Sequence, residues 1–193
     1  MEYRIKVSGA SSEGGQRCQL FVGRERLSLV ADFGAPWLDQ ERGKVRISRP
    51  SGDTIASLQF PGLAVTSKGG QSRISYALIY DDAVYAIFTK YPWPDPDNSA
   101  ALPYFLIEAE EKRWLALGGR TNGRSSPLKF TLCDNPPGDL QVYADPLDVC
   151  GADPVGEIDE AGKGEFNITL LDGRFRQPQL ILLALVFLIH QLP

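Results

Sequence analysis

The segment that decides the fold is Gln179–Pro193, which reads QLILLALVFLIHQLP. Within it, the ten consecutive residues Leu180–Ile189 carry no polar side chain. Pro178 suits the first turn of a helix, where its missing N–H costs nothing, and the leucines that follow favour a helix over a strand. A helix without a polar face must be covered on every side. The segment therefore predicts a buried helix at about 178–190.

The length of this apolar run argues against a membrane as its surroundings. Ten helical residues rise about 15 Å, whereas the hydrocarbon core of a bilayer is about 30 Å thick. We therefore expect no transmembrane span. The helix must instead be covered by the rest of its own chain.

The rest of the chain has the period of β-strands. The stretches YRIKV, from Tyr3, and KVRIS, from Lys44, alternate apolar and charged residues, which is typical of half-buried strands. Two hairpins are indicated where strand-like runs meet at Asp81-Asp82 and at Glu110-Glu111. Short runs of this kind recur along the chain, about a dozen in all, at the spacing of a sandwich or barrel.

These two signals combine into one architecture, because a closed barrel can cover a helix on every side. The Pro-rich stretch Tyr91–Pro103 is interpreted as a long loop between two strands rather than as a linker. We predict an all-β fold with one central helix, a closed β-barrel of about 12 strands around the buried hydrophobic C-terminal helix. The barrel forms a single domain over residues 1–193.

The overall composition is that of an ordinary globular protein. Of 193 residues, 43% are hydrophobic and 23% are charged, and the net charge of -4 makes nucleic acid an unexpected partner. The start of the chain, MEYRIKVSG, has no apolar segment, so we expect no signal peptide. Cys18, Cys133 and Cys150 form no CxxC pair, which predicts reduced thiols in a cytoplasmic protein and no metal site.

A search for catalytic motifs finds no GxSxG, P-loop, GxGxxG or HExxH pattern. The single histidine, His190, ends the predicted helix, where a structural role is more common than a catalytic one. We therefore expect a non-catalytic protein without a cofactor, and an enzyme is the less favoured alternative.

Charge is distributed unevenly, and it indicates an anion site. From residue 112 to 129 there are five basic residues and no acid, and from 134 to 165 there are nine acids and one lysine. Arginine forks and lysine ammonium groups bind phosphate oxygens, although basic residues of this kind can also be solvated barrel exterior. Arg120 and Arg124 flank a predicted turn, Lys129 follows on a strand, and a second strand projects two more bases from one face. The candidate head-group ligands are Arg120, Arg124, Lys129, Lys44 and Arg46.

The C-terminal sequence carries a resemblance to a known family. Residues 162–190, GKGEFNITLLDGRFRQPQLILLALVFLIH, resemble the final strand, turn and helix of the tubby-like superfamily, which includes tubby C-terminal domains, phospholipid scramblases and plant LURP-one-related proteins. The stretch GRSSPLKFTL, residues 123–132, is similar to the Arg- and Lys-bearing strand of tubby domains. The resemblance implies a barrel threaded by a C-terminal helix and a role at membranes.

Three functional hypotheses follow. The first is a non-catalytic module that binds phospholipid or phosphoinositide head groups at a membrane surface, in a protein that is cytoplasmic and peripheral to the membrane. The second is a scaffold or protein-interaction domain that uses the Pro-rich loop as its contact surface. The third is a scramblase-like protein or an enzyme that acts on lipid. The expected partners are therefore anionic phospholipid head groups or another protein.

Overall fold

The computed structural model describes residues 1–9, 16–23, 26–33, 44–59, 65–66, 72–91, 104–120, 127–134, 154–171, 173 and 175–190. Within these ranges the chain forms thirteen strands and one α-helix. The elements are β1 (Glu2–Gly9), β2 (Gln16–Val22), β3 (Arg26–Phe33), β4 (Lys44–Ser48), β5 (Thr54–Gln59), β6 (Val65–Thr66), β7 (Ser72–Tyr80), β8 (Ala83–Tyr91), β9 (Tyr104–Ala109), β10 (Lys112–Arg120), β11 (Leu128–Asp134), β12 (Pro154–Gly162), β13 (Glu165–Leu170) and α1 (Pro178–His190).

The strands close into an antiparallel barrel. Every strand pairs with the next one in sequence except β5, which does not pair with β6, and β13 pairs with β1. The remaining gap closes where β5 pairs with β7, while the two-residue β6 adds only a short pairing to β7. The barrel wall therefore consists of the twelve strands β1–β5 and β7–β13, which confirms the predicted fold.

Both predicted hairpins are present, and both central residues of each turn have positive φ, as in a type I′ turn. Asp81 and Asp82 have φ of 53° and 57°, and Glu110 and Glu111 have φ of 53° and 61°. Two-residue loops with positive φ at both positions match the right-handed twist of the strands that they join. They link β7 to β8 and β9 to β10.

The helix α1 fills the barrel. Every residue from Leu180 to Ile189 is buried, and these side chains belong to one core cluster with the inward residues of the strands, such as Ile5, Leu20 and Ile47. The alternation of buried and exposed residues along β4 and β13 puts one face of each strand in this core. The predicted buried helix at 178–190 is thus confirmed. Among the described residues, no helix has the length and apolar character needed to cross a membrane.

Polar contacts fix the point at which the helix enters the barrel. The Tyr85 hydroxyl donates a hydrogen bond to the Glu110 carboxylate, which also accepts one from the Arg176 N–H at 3.0 Å. The Gln177 N–H donates to the Tyr85 hydroxyl oxygen at 3.0 Å. Burial, and then the bond to Glu110, raise the pKa of Tyr85 above its ordinary value. The turn after β9 and the side of β8 therefore hold the segment just before Pro178.

Strand β10 extends up to the edge of the predicted turn. Arg120 ends β10, where it pairs with Leu128, and the predicted turn around Gly123 lies outside the described residues. Gly118 is required for packing, because a Cβ there would lie 2.3 Å from ring carbons of Phe130, its partner across the ladder. A glycine that makes room for a cross-strand ring extends the strand instead of ending it.

Gly118→Ala is therefore expected to destabilise the barrel by about 1–3 kcal/mol, the usual cost of overpacking. Phe130 is fully buried and has no room to move away. Urea unfolding of the variant checks the effect. Gly9→Ala, at a strand position where an added Cβ meets nothing within 4 Å, is the matched control. Equal midpoints for the two variants would contradict this packing role.

The cysteines depart from expectation at one position. Cys18 is a free thiol in the core, and burial raises its pKa to about 12. Cys133, however, is disulfide-bonded, so the prediction of reduced thiols is wrong for it. A disulfide depends on proximity in the fold rather than on spacing in sequence, and the absence of CxxC could not exclude one. Cys150 lies outside the described residues, as do residues 92–103 of the predicted loop.

Candidate functional site

Of the candidate ligands predicted in the basic segment 112–129, only Lys129 has a described side chain. Lys129 lies on the outer face of β11, between the buried Leu128 and Phe130. Its Nζ is 3.5 Å from a carboxylate oxygen of Glu157 and 3.7 Å from one of Asp159, both on β12. Its charge is therefore already balanced by its neighbours. The Arg120 side chain and the whole of Arg124 lie outside the described part of the chain.

Lys44 and Arg46 form a separate pair. They alternate along β4 with the buried Val45 and Ile47, so both project outward, as predicted. Strand β4 is as far from β11 as the barrel allows, separated by β5, β7, β8, β9 and β10 in one direction and by β3, β2, β1, β13 and β12 in the other. The structure does not bring Lys44 and Arg46 together with Lys129.

Lys44 and Arg46 instead line a groove on the outer surface, where β5 meets β7 and closes the barrel. The groove has a volume of about 680 Å³. Its cationic wall lies along β4 and the turn after it, its floor is β5, and its acidic wall is the end of β7 with the following turn. We call it the seam groove, lined mainly by Lys44, Arg46, Arg49, Ser57, Asp81 and Asp82.

The strand register sets the width of the seam groove. Arg46 pairs with Ser57, which in turn pairs with Ile79, so the three lie in one row across β4, β5 and β7. Arg49 follows β4 and Asp81 follows β7, and these two strands run in the same direction on either side of β5. Neighbouring strands are about 4.8 Å apart, so the backbones of the two walls are about 10 Å apart.

The floor of the seam groove presents a serine hydroxyl. Ser57 is only 8% exposed, and its hydroxyl forms no hydrogen bond with any residue that the structure describes. The Ser57 oxygen is not one of the enclosed side-chain atoms that lack a partner, so it is open to the groove. The Ser57 hydroxyl is thus available as a donor to a molecule bound in the groove.

Arg49 is the cation that sequence reasoning missed, because it belongs to a turn and not to the alternating strand. The turn is well defined: the Arg49 N–H donates to the Asp53 carbonyl oxygen, and the Gly52 N–H donates to the Arg49 carbonyl oxygen, both at 2.9 Å. The Arg49 side chain is exposed and forms no ion pair with a described residue. A basic residue directly before a Pro-Ser-Gly turn, on the edge of a basic strand, was the available signal.

His190 and the acidic residues form no second candidate site, catalytic or metal-binding, in the described part of the chain. The His190 ring lies edge-to-face with Phe166 at 6.3 Å, and burial lowers its pKa, with Glu160 acting in the opposite direction. No group of three His, Cys, Asp or Glu side chains within the described ranges could hold a metal ion.

The seam groove has the chemistry of a site for small polar ions. It offers guanidinium and ammonium donors on one wall, a hydroxyl on the floor and carboxylates on the other wall, so it can hold groups of either charge by hydrogen bonds. It has no nucleophile paired with a base among its described lining residues. In comparisons with known proteins, no family model matches the chain, and neither does any curated protein or solved structure.

Proposed function

We propose that the protein is a non-catalytic module that binds phospholipid or phosphoinositide head groups at a membrane surface, and that the seam groove is its head-group site. The observation that carries this proposal is the wall formed by Lys44, Arg46 and Arg49 beside the unpaired Ser57 hydroxyl. Arginine presents a planar fork of donors to phosphate oxygens, and lysine adds a compact charge. The hydroxyl adds a neutral donor from below.

The proposal includes membership of the tubby-like superfamily and a place at the cytoplasmic face of a membrane. It is supported by a barrel of twelve antiparallel strands and by the helix Pro178–His190, which follows them in the chain and fills the barrel interior. The resemblance of residues 162–190 to the ending of that superfamily points the same way. Both supports concern the plan of the fold, so the choice of ligand rests on the seam groove.

Exposed aliphatic side chains beside the groove support binding at a membrane surface. Val84 and Ile87 on β8 are 59% and 38% exposed. Apolar side chains next to basic ones suit the interface of a bilayer, where the former enter the head-group region and the latter meet acidic lipids. The strand register puts Val84 in the same cross-strand row as Arg46 and Ile87 in the same row as Lys44. The rows are Arg46–Ser57–Ile79–Val84 and Lys44–Gln59–Ala77–Ile87.

The same aliphatic residues favour a second candidate function, a protein-interaction module. Exposed apolar side chains that share a face with charged ones are also common at protein interfaces. The two candidates differ in what binds without a protein partner. A lipid-binding module attaches to protein-free vesicles, whereas an interaction module does not.

Arg46→Ala combined with Arg49→Ala is expected to weaken binding to anionic vesicles about tenfold or more. Each basic residue near an acidic membrane surface contributes about 1 kcal/mol, and about 1.4 kcal/mol is tenfold in affinity. Thermal stability should change little, because exposed arginines contribute little to folding. Vesicle flotation at about 50 mM salt, where screening is weak, measures the binding, and a melting curve measures the stability.

Lys129→Ala is the matched control, since it removes one exposed cation from the opposite side of the barrel. We expect it to leave binding unchanged, because Glu157 and Asp159 already balance its charge. Arg120→Ala with Arg124→Ala forms a third arm, since both remain sequence-based candidates. An equal loss of vesicle binding in the Lys129→Ala variant would indicate that the binding site lies on β11 instead. A wild-type protein that ignores both anionic and zwitterionic vesicles would end the lipid proposal and favour the protein-interaction module.

A further inference from the structure

The seam groove carries opposite charges on its two walls. Arg49 stands on the cationic wall with Lys44 and Arg46, and Asp81 and Asp82 form the turn on the other wall. Neither Asp81 nor Asp82 forms an ion pair with a residue that the structure describes, and the same holds for Arg49. The backbones of the two walls stand about 10 Å apart across β5, which leaves room for a ligand between the charged groups.

A ligand that carries only negative charge would pair with the cationic wall of the groove and leave the acidic wall unpaired. It would bind the cationic wall, but its remaining charge would face Asp81 and Asp82, and like charges at close range repel. A ligand with a phosphate at one end and a cation at the other would satisfy both walls. The unpaired Ser57 hydroxyl lies between them, where it can donate to the phosphate.

The type of cation follows from the donors and rings available. Carboxylates accept N–H donors, and a primary ammonium group offers three. A quaternary ammonium has no N–H and is usually bound by a cage of aromatic rings. Tyr80 is the only aromatic residue among the described residues that line the seam groove, and its ring lies edge-to-face with Tyr85 at 5.8 Å. One ring makes no cage, so the acidic wall suits a primary ammonium.

We infer that the seam groove recognises a zwitterionic head group of the phosphoethanolamine type, with the phosphate on Lys44, Arg46 and Arg49 and the ammonium on Asp81 and Asp82. This inference rests on the proposed function and names the ligand class of the same site. It also explains the presence of carboxylates on the rim of a groove that otherwise favours anions. A head group of this type keeps an overall charge near zero, so the two walls, and not the net charge of the membrane, select it.

The test uses soluble head groups, which separate recognition in the groove from general attraction to a membrane. Titration calorimetry of the full chain compares glycerophosphoethanolamine, glycerophosphocholine and glycerophosphoglycerol, which share the phosphodiester and differ beyond it. The wild type should bind the ethanolamine compound about tenfold more tightly than the other two, the effect of one additional charge-assisted hydrogen bond.

Asp81→Asn combined with Asp82→Asn should abolish that preference and leave binding of glycerophosphoglycerol intact or stronger. Asparagine is well tolerated at positive φ, which both positions have, so the hairpin should keep its turn. Arg49→Gln, in contrast, should weaken all three compounds, because it removes part of the phosphate wall.

Two results would overturn the inference, and they differ in their meaning for the proposed function. If glycerophosphoglycerol binds as tightly as glycerophosphoethanolamine and the protein still floats with anionic vesicles, the ethanolamine inference fails while head-group binding stands. If no phosphodiester binds and vesicle flotation is also negative, both fail. A preference for ethanolamine that survives the double asparagine variant would likewise remove the role given to Asp81 and Asp82.

Discussion

Removal of residues 178–193 is expected to leave an insoluble or molten chain. The ten residues Leu180–Ile189 are all buried inside the barrel, and their burial contributes on the order of 15–25 kcal/mol of gross hydrophobic free energy. A domain is stable by only about 5–15 kcal/mol in total, so the barrel cannot stay folded around an empty interior. Solubility, near-UV circular dichroism and the cooperativity of urea unfolding measure the outcome.

A chain that ends at His190 is the matched control for this truncation. It keeps α1 whole and loses only the residues that follow, so we expect cooperative unfolding close to that of the full chain. A soluble truncation at 178 that unfolds cooperatively would contradict the account, because it would make the helix a peripheral tail.

Leu183→Asp is expected to destabilise the protein by about 4 kcal/mol or more. Leu183 lies in the middle of α1 and is fully buried, so the new carboxylate would be an unpaired charge in an apolar core. Burial would raise the pKa of this carboxyl, and the loss should therefore shrink as the pH falls and the group becomes neutral. Urea unfolding at neutral and acidic pH measures both effects.

Leu171→Asp makes the same chemical change on a leucine that is 51% exposed. It should shift stability by no more than about 0.5 kcal/mol, as is usual for surface substitutions. If the two variants lost the same stability, Leu183 would not be in the core. If Leu183→Asp left the melting temperature unchanged and moved the protein between membrane and soluble fractions, α1 would be an anchor.

Much of the fold could be predicted because local patterns specify it. The uninterrupted apolar run and the preceding Pro178 marked the helix, and the Asp-Asp and Glu-Glu pairs marked two hairpins whose turns have positive φ. The end of β10 could not be predicted in this way. Gly118 leaves room for the ring of Phe130 on the next strand. A sequence pattern does not distinguish such a glycine from one at which the chain turns.

The candidate site was less accessible from sequence, because it depends on contacts between distant segments. Alternation along β4 was enough to put Lys44 and Arg46 on one outer face. The pairing of β5 with β7, however, brings the Asp81-Asp82 turn opposite Arg49, and no local pattern indicates this closure. In the same way, Lys129 is balanced by Glu157 and Asp159 only because β12 pairs beside β11.

The central claim is that phospholipid head groups bind in the seam groove, and amide NMR during titration with a short-chain phospholipid below its micelle concentration tests it most directly. The account predicts that shifts concentrate in three places: the end of β4 with the turn at Arg49, the strand β5 around Ser57, and the Asp81-Asp82 turn. The outward residues of β11 and β12, on the far side of the barrel, should be unaffected. Shifts centred on Lys129, or a chain that shows none at saturating lipid, would contradict the claim.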